Sequence, residues 1–300
     1  MPSIKARIVR YFIQRNNHPT FESPENLNRR IKERRLTDTH KPPERLNSRV
    51  TITSHTTPSN HTVYNVVAKS AESKPTARIL YVHGGAWVFE IGEPHWDFIA
   101  NIAERTNATI TVPIYPLAPE HKVAEMYDML QPIYDELAAA KEDTPFWVMG
   151  DSAGGTFSIA LTQLALQQGK PIAQKMAVFS PGVDCTLVNP HLHLKAKTDP
   201  WLDTPGLVEA LRHLAGDVKR DDLRMSPIYG PLEKLPKTLI FIASDDLLEP
   251  DEELFVEKAK EKGVDIDVVR GPDMLHVWIA LPTPEAAVAQ DQLFEWLKKE

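Results

Sequence analysis

Two short stretches of this chain carry residue types suited to nucleophilic acyl chemistry. The first is Gly150-Asp151-Ser152-Ala153-Gly154-Gly155. It follows the apolar run Pro145-Phe146-Trp147-Val148-Met149 and precedes a segment that reads as a helix from Thr156 to Gln168. A G-x-S-x-G between a strand and a helix puts the serine on a turn so sharp that its backbone is strained, which presents Oγ as a nucleophile. Small residues two before and two after it, here Gly150 and Gly154, are what such a turn tolerates. The competing reading is a tight glycine turn with an ordinary surface serine. The second stretch, His83-Gly84-Gly85-Ala86-Trp87, weighs against it. It follows the β-type run from Ala77 to Val82, and its glycines let backbone N–H groups converge on one point. Such donors hold the negative oxygen of a tetrahedral acyl intermediate, and each fixed donor is worth about 3–4 kcal/mol of barrier. Ala86 keeps an N–H but not a glycine's conformational freedom.

A serine nucleophile needs an acid and a histidine later in the chain. Thr238–Ala243 reads as a strand and runs into Asp245, Asp246, Glu249 and Asp251. Asp265–Arg270 reads as another strand and leads to His276. Both groups then stand just past the C-terminal end of a strand, where α/β sheets collect their active-site residues. The histidine would take the proton from Ser152 and return it to the leaving group, with the acid orienting the imidazole. Asp251 reads as the cap of a helix starting after Pro250, and Glu249 as solvated, which leaves Asp245 and Asp246. Elsewhere, His18, His40, His55, His61, His191 and His193 lie in polar stretches and read as surface, while His95, His121 and His213 fall in or near helices. Asp151, beside the nucleophile, reads as a support of the turn rather than a reacting group. Trp87, Phe89, Trp201, Leu202 and Trp278 are candidates for the substrate pocket, though aromatics of any domain this size are equally suited to the core.

Taken together, His83–Trp87, Tyr115-Pro116-Leu117-Ala118-Pro119-Glu120-His121, Gly150–Gly155, Ala243-Ser244-Asp245-Asp246-Leu247 and Met274-Leu275-His276-Val277-Trp278 resemble the hormone-sensitive-lipase-like carboxylesterases of the α/β-hydrolase superfamily. The resemblance runs from about residue 78 to the C-terminus. It implies a mostly parallel central sheet flanked by helices, with a helical cap, and it places the acid at Asp246. It also implies that the N–H groups of Gly84, Gly85 and Ala153 form the oxyanion hole and that His83 and Glu120 brace that loop. Ala86 for Gly, Pro116 for the usual Arg and Val123 in place of an aromatic, proline-rich segment depart from the family pattern and bear on the shape of the acyl pocket. The resemblance further implies a homodimer paired through the last strand and helix. The activity it implies is hydrolysis of short- to medium-chain carboxylic esters, without metal or cofactor. Amidase, deacetylase or lactonase chemistry would use the same residues. A ligand-binding member of the fold without catalysis is disfavoured because Ser152, Asp246 and His276 are all present.

The 300 residues, 42% apolar, are enough for one large core, and the alternation of strand and helix signals argues for a single α/β domain. The only cysteine, Cys185, excludes an internal disulfide or a cysteine-based metal site and reads as an apolar filler in a reducing, cytoplasmic compartment. No run approaches the ~18 apolar residues of a membrane span, and no signal-peptide pattern opens the chain. A net charge of −7 argues against nucleic-acid binding.

Charge is uneven, however. Residues 1–35 hold nine Lys/Arg against Glu22, Glu25 and Glu33, a net +6 that leaves −13 for the remainder. Ile4, Ile8 and Phe12, with Val9 and Ile13, recur at helical spacing, so the start of the chain reads as a basic amphipathic helix. It would serve as part of a cap over the active-site mouth, as an attachment to a lipid interface, or as a targeting segment. The cap reading is preferred, with residues 1–48 as an N-terminal cap segment and 49–300 as the catalytic domain. A second cap insertion is expected at about 183–223, where the rhythm breaks and Pro205–Ala215 reads as a helix. Thr37–Ser48 reads as a linker and Arg49–Ser54 with His61–Val67 as an antiparallel edge pair. Thr109–Pro113 and Lys175–Phe179 read as strands, and Trp96–Arg105, Val123–Ala140, Glu252–Lys262 and Pro284–Lys299 as helices.

Overall fold

In the computed structural model, which describes residues 1–71, 74–140 and 143–299, the chain opens with three helices: α1 (Ile4–Asn16), α2 (His18–Phe21) and α3 (Pro24–Thr37). Ser3 and Ser23 cap α1 and α3, their hydroxyls accepting the N–H groups of Ala6 and Asn26. A 3-10 turn (Glu44–Ser48) occupies the end of the expected linker. Then come β1 (Val50–Thr56), β2 (Thr62–Ala68), β3 (Arg78–Val82), α4 (Glu93–Thr106), β4 (Thr109–Pro113), α5 (Val123–Ala139), β5 (Phe146–Asp151), α6 (Ala153–Gln167) and β6 (Lys175–Phe179). The short α7 (Leu192–Lys195) and α8 (Thr204–Ala215) interrupt the alternation before β7 (Lys237–Ala243), α9 (Glu249–Glu261), β8 (Ile266–Gly271) and α10 (Pro284–Lys298).

The strands form one sheet in the order β1-β2-β4-β3-β5-β6-β7-β8. β1 and β2 pair antiparallel, with Val50 opposite Ala68 and Thr56 opposite Thr62, and β2 joins β4 antiparallel; every later pairing is parallel. The central strands β3 and β5 are buried at every residue, as strands covered on both faces must be. Because side chains alternate, Leu80, Val82, Val148, Val178 and Ile240 pack with α5, α6 and α9 on one face. Ile79, Tyr81, Met149, Phe179 and Phe241 pack with α4 and α10 on the other. This is the α/β-hydrolase architecture.

The segments at residues 1–48 and 183–223 meet in space. Gly206 of α8 lies so close to α2 that a Cβ there would come within 2.4 Å of the Phe21 Cα. Leu207, Ala210, Leu211 and Leu214 of α8 share a buried cluster with Phe21, Leu27 and Ile31. Asn28 of α3 donates to Glu209 at 2.7 Å.

One expectation fails at α9. The helix begins at Glu249 with Leu248 in the capping position, so Asp251 lies inside the first turn, buried, and accepts a hydrogen bond from Asn189 Nδ2 at 2.7 Å. Pro250 suits the second position of a helix, whose N–H has no intrahelical acceptor, and that lets the helix begin one residue before the proline. Glu249 is not free in solvent either: it pairs with Lys195 at 3.1 Å, and both side chains are largely covered.

Candidate active site

Ser152 sits between β5 and α6 at φ +50° and ψ −119°, a conformation that costs a non-glycine residue about 1–3 kcal/mol. Neighbouring backbone holds it there, Ser152 N–H donating to the Phe179 carbonyl at 2.9 Å. The flanking glycines are required by contact. A Cβ on Gly154 would lie 1.9 Å from the Val82 carbonyl oxygen, and one on Gly150 would lie 2.3 Å from that of Gly154.

The loops after β7 and β8 bring the acid and the histidine to this serine. They are tied to each other by Asp245 N–H donating to the Met274 carbonyl at 3.0 Å and Asp273 N–H to Ser244 Oγ at 2.8 Å. Val277 N–H donates to Ser180 Oγ, which anchors the histidine loop to the end of β6. His276 Nδ1 lies 2.7 Å from Asp246 Oδ2 and Nε2 lies 2.9 Å from Ser152 Oγ. The hydrogen-bond network assigns the proton to Nδ1, leaving Nε2 to accept from the serine hydroxyl. Asp246 is 0% exposed and His276 4%. Asp245 points away, to a 2.5 Å ion pair with Arg10 of α1. Burial disfavours a charged His276, but the charge and hydrogen bond of Asp246, aided by Asp199 and Asp151, outweigh it and hold the imidazole above its ordinary pKa.

Asp199 has no counterpart in the sequence reading. It is 3% exposed, and its carboxylate accepts three backbone N–H groups: Trp201 at 2.7 Å, Leu202 at 3.0 Å and Leu247 at 2.7 Å. Burial, then the neighbouring charge of Asp246, push its pKa up to about 7. His95, which the sequence marks only as lying in or near a helix, also belongs to the site. Its Nδ1 accepts the Gly92 N–H, which leaves the Nε2–H to donate to Asp151 at 3.1 Å, while Tyr81 donates its hydroxyl to the other Asp151 oxygen at 2.7 Å. Asp151 thus ties the serine turn to β3 and α4. A histidine three residues after a glycine at a helix start was the available signal for His95; nothing in the local sequence marks Asp199.

The loop after β3 turns back over the serine. Gly84 packs against the turn, where a Cβ would fall 2.2 Å from Asp151 Oδ2, and Gly85 has φ +115°. Ala86, at φ +51°, takes the left-handed conformation without a glycine's freedom. His83 Nδ1–H donates to the Gly84 carbonyl at 2.6 Å. In a trans peptide the following N–H points the opposite way, so this bond aims the Gly85 N–H. Neither Gly84 nor Gly85 donates to a backbone acceptor among the described residues. Ala153, as the first residue of α6, has a free N–H by position. His83 stacks on Tyr115 at 4.4 Å, and burial, then His95, lower its pKa to about 3, so it stays neutral. Glu120 pairs with Arg35 at 3.1 Å, and Arg35 donates to the Val88 and Ala118 carbonyls at 2.7 and 2.8 Å.

Ser152 and His276 open on a cavity of about 480 Å³, lined mainly by apolar side chains. Val9, Phe12 and Ile13 of α1, Phe21, Trp201 and Leu202 border it opposite the sheet, with Phe89 from the loop after β3. Arg30, Arg34 and Glu90 give one part of the wall polar character. Two pocket candidates are not there. Trp87 faces the core packed around α6, and Trp278 lies edge-on to Phe241 at 6.3 Å on the other face of the sheet. The backbone is left-handed at Trp87 (φ +60°) and at Val277, the residue before Trp278 (φ +53°). Among the described residues, no group of three or more His, Cys, Asp or Glu is arranged to hold a metal ion, and no helix is long and apolar enough to cross a membrane.

A family described as alpha/beta hydrolase fold matches residues 79–280. The chain belongs to this family. It is 30% identical over 198 residues to an esterase of Acinetobacter venetianus, covering 65% of each chain, and 29% identical over 233 residues to a triacylglycerol lipase of Mycobacterium tuberculosis, covering 77% of this chain. The matches span 65% and 48% of those two relatives' own lengths. The structure of an esterase from the bacterial hormone-sensitive lipase family superposes with a TM-score of 0.79 over 99% of this chain and 98% of that one at 21% identity, which speaks for the fold. These likenesses agree with the resemblance read from the motifs.

Proposed function

We propose that this protein is a serine carboxylesterase acting on short- to medium-chain esters. The observation that carries the reading is the continuous hydrogen-bonded line from Ser152 through His276 to Asp246, opening on a largely apolar cavity. Ser152 Oγ attacks the ester carbonyl carbon while His276 Nε2 takes its proton. The tetrahedral oxyanion is held by the N–H groups of Gly84, Gly85 and Ala153. His276 then protonates the departing alkoxide, and the acyl group stays on Ser152. Water, deprotonated by the same imidazole, attacks the acyl-enzyme and releases the acid. Asp246 holds the imidazole in the right tautomer and stabilises its charged form.

Residues 1–48 and 183–223 act in this reading as a two-part cap, with Phe89, Trp201 and Leu202 shaping the acyl and alcohol pockets. A cavity of this size is in the ordinary range for a small molecule rather than a long-chain triglyceride. The single buried cysteine suits a cytoplasmic setting. Pairing of two copies through β8, an edge strand, and α10 would give a homodimer; monomer mass in light scattering removes that element.

The test is hydrolysis of p-nitrophenyl esters from acetate to palmitate, with matching anilides and lactones, by wild type and Ser152→Ala. Activity peaking on short or medium chains and reduced about 10⁴–10⁶-fold in the variant is expected. Activity confined to anilides or lactones moves the substrate class. No turnover on any substrate by folded protein overturns catalysis in favour of ligand binding.

A further inference from the structure

α1 has two apolar faces, and only one is used by the fold. Ala6, Val9 and Ile13 turn inward, Val9 and Ile13 onto the cavity wall. Ile4, Ile8, Tyr11 and Phe12 turn outward, 51–70% exposed, and form a stripe along the opposite side. A folded chain rarely leaves four large apolar side chains contiguous in water on one short helix unless something covers them. Phe12 belongs to both faces, because it also borders the cavity.

The charges on the same helix say what kind of surface that is. α1 contains Lys5, Arg7, Arg10 and Arg15 and no acidic residue. Arg10 is engaged with Asp245, whereas among the described residues no carboxylate lies within ion-pair distance of Lys5, Arg7 or Arg15. These three cations are exposed and flank the apolar stripe. Residues 1–35 carry net +6 while the remaining chain carries −13. An anionic surface would therefore attract this end and repel the rest of the molecule, which orients α1 toward it.

We propose that α1 docks on anionic lipid surfaces, lying in the headgroup plane with Ile4, Ile8 and Tyr11 inserted and Lys5, Arg7 and Arg15 on the lipid phosphates and carboxylates. Exposed large apolar residues bordered by Lys and Arg, with no acid, are the composition of an interfacial helix. A protein partner of acidic surface would be drawn by the same cations, but four adjoining, exposed large apolar side chains bordered by cations suit insertion at a lipid interface. Docking through the outer stripe leaves Val9 and Ile13 facing the cavity, so that α1 lies between the lipid surface and the site.

The experiment is co-sedimentation of the full chain with vesicles of phosphatidylcholine alone or of equal parts phosphatidylcholine and phosphatidylserine. It compares wild type, Ile4→Ser/Ile8→Ser/Tyr11→Ser, Lys5→Gln/Arg7→Gln/Arg15→Gln and Ser152→Ala. Wild type and Ser152→Ala should partition equally onto the anionic vesicles and weakly onto neutral ones. Sedimentation does not require turnover, so a failed esterase reading leaves this result readable. Each neutralised cation should weaken partitioning about fivefold, and the serine triple variant should abolish it. Both variants should keep the wild-type melting temperature and p-nitrophenyl acetate hydrolysis, since the altered side chains are exposed and line neither the active-site cavity nor the core. Absent wild-type binding, or binding unchanged in the triple variants, overturns the proposal. So does a wild-type dimer that the serine variant converts to monomer, because a second copy would then be what covers the stripe.

Discussion

Asp199 accepts the backbone N–H of Leu247 at 2.7 Å, so a buried carboxylate from the segment between β6 and β7 holds the residue that follows Asp246. The same carboxylate fixes the backbone of Trp201 and Leu202, which border the cavity, and Trp201 stands edge-on to the His276 ring at 6.0 Å. One side chain therefore links the pocket wall to the proposed acid.

Asp199→Asn should expose both of these links. An amide places a donor where two oxygens now accept, and that opposes the Leu247 N–H. Loss of one such hydrogen bond, about 1 kcal/mol, should lower kcat about fivefold. The charge of Asp199 also helps to raise the His276 pKa. The base must be neutral to act, so activity rises as pH climbs through that pKa. Removing the charge should therefore move the acid limb of kcat/KM to lower pH. A profile measured from pH 4 to 9 that falls in height without moving assigns Asp199 a purely structural role.

Asp246→Asn should reduce kcat about 10⁴-fold by supporting the wrong imidazole tautomer. Asp245→Asn, which breaks only a partly exposed pair with Arg10, should cost about 0–1 kcal/mol of stability and leave kcat near wild type. Steady-state kinetics of the two variants decide between adjacent residues that the sequence alone cannot separate.

Glu252 should make the protein less stable as pH rises. It is 0% exposed on α9, neither carboxyl oxygen has a hydrogen-bond partner among the described residues, and burial, then the Asp246 charge, push its pKa well above the ordinary carboxyl range. Above about pH 4.3, the unfolded glutamate has lost a proton that the folded one keeps. Stability then falls with pH, by up to about 1.4 kcal/mol per unit, until the folded pKa is reached. Glu252→Gln should flatten this slope in urea titrations at pH 5 to 8. Parallel slopes for variant and wild type contradict the assignment.

Gly154→Ala and Ala86→Gly should behave oppositely. The first drives a Cβ into the Val82 carbonyl and should cost more than about 4 kcal/mol or prevent folding. The second removes about 1–2 kcal/mol of left-handed strain at Ala86. The freer unfolded chain offsets about 0.4–1 kcal/mol of that gain. Its melting temperature should match or slightly exceed that of wild type by calorimetry.

Much of this molecule is legible without its coordinates because the constraints involved are local. A sharp turn needs Gly150 and Gly154, a doubly covered strand needs unbroken apolar runs such as Ile79-Leu80-Tyr81-Val82, and an amphipathic helix needs Val9 and Ile13 at their spacing. Strands β4 and β6 fall where propensity puts them, Thr109–Pro113 and Lys175–Phe179. Helix α3 escaped a separate reading because it buries only Leu27 and Ile31 among many charges, too narrow a stripe for periodicity to reveal. Which acid faces His276 was a choice of one residue in a loop, taken from resemblance; the geometry after β7 turns Asp246 inward and Asp245 out to Arg10. Trp87 and Trp278 look like pocket residues in the chain, yet both indoles pack into the two buried clusters on either face of the sheet. The roles of Asp199 and His95 depend on partners 48 and 56 residues away, Leu247 and Asp151. Composition, turns and periodicity act between near neighbours and are written in the sequence. The direction of a side chain and the polar group that meets it depend on how distant segments pack, and only the tertiary structure decides them.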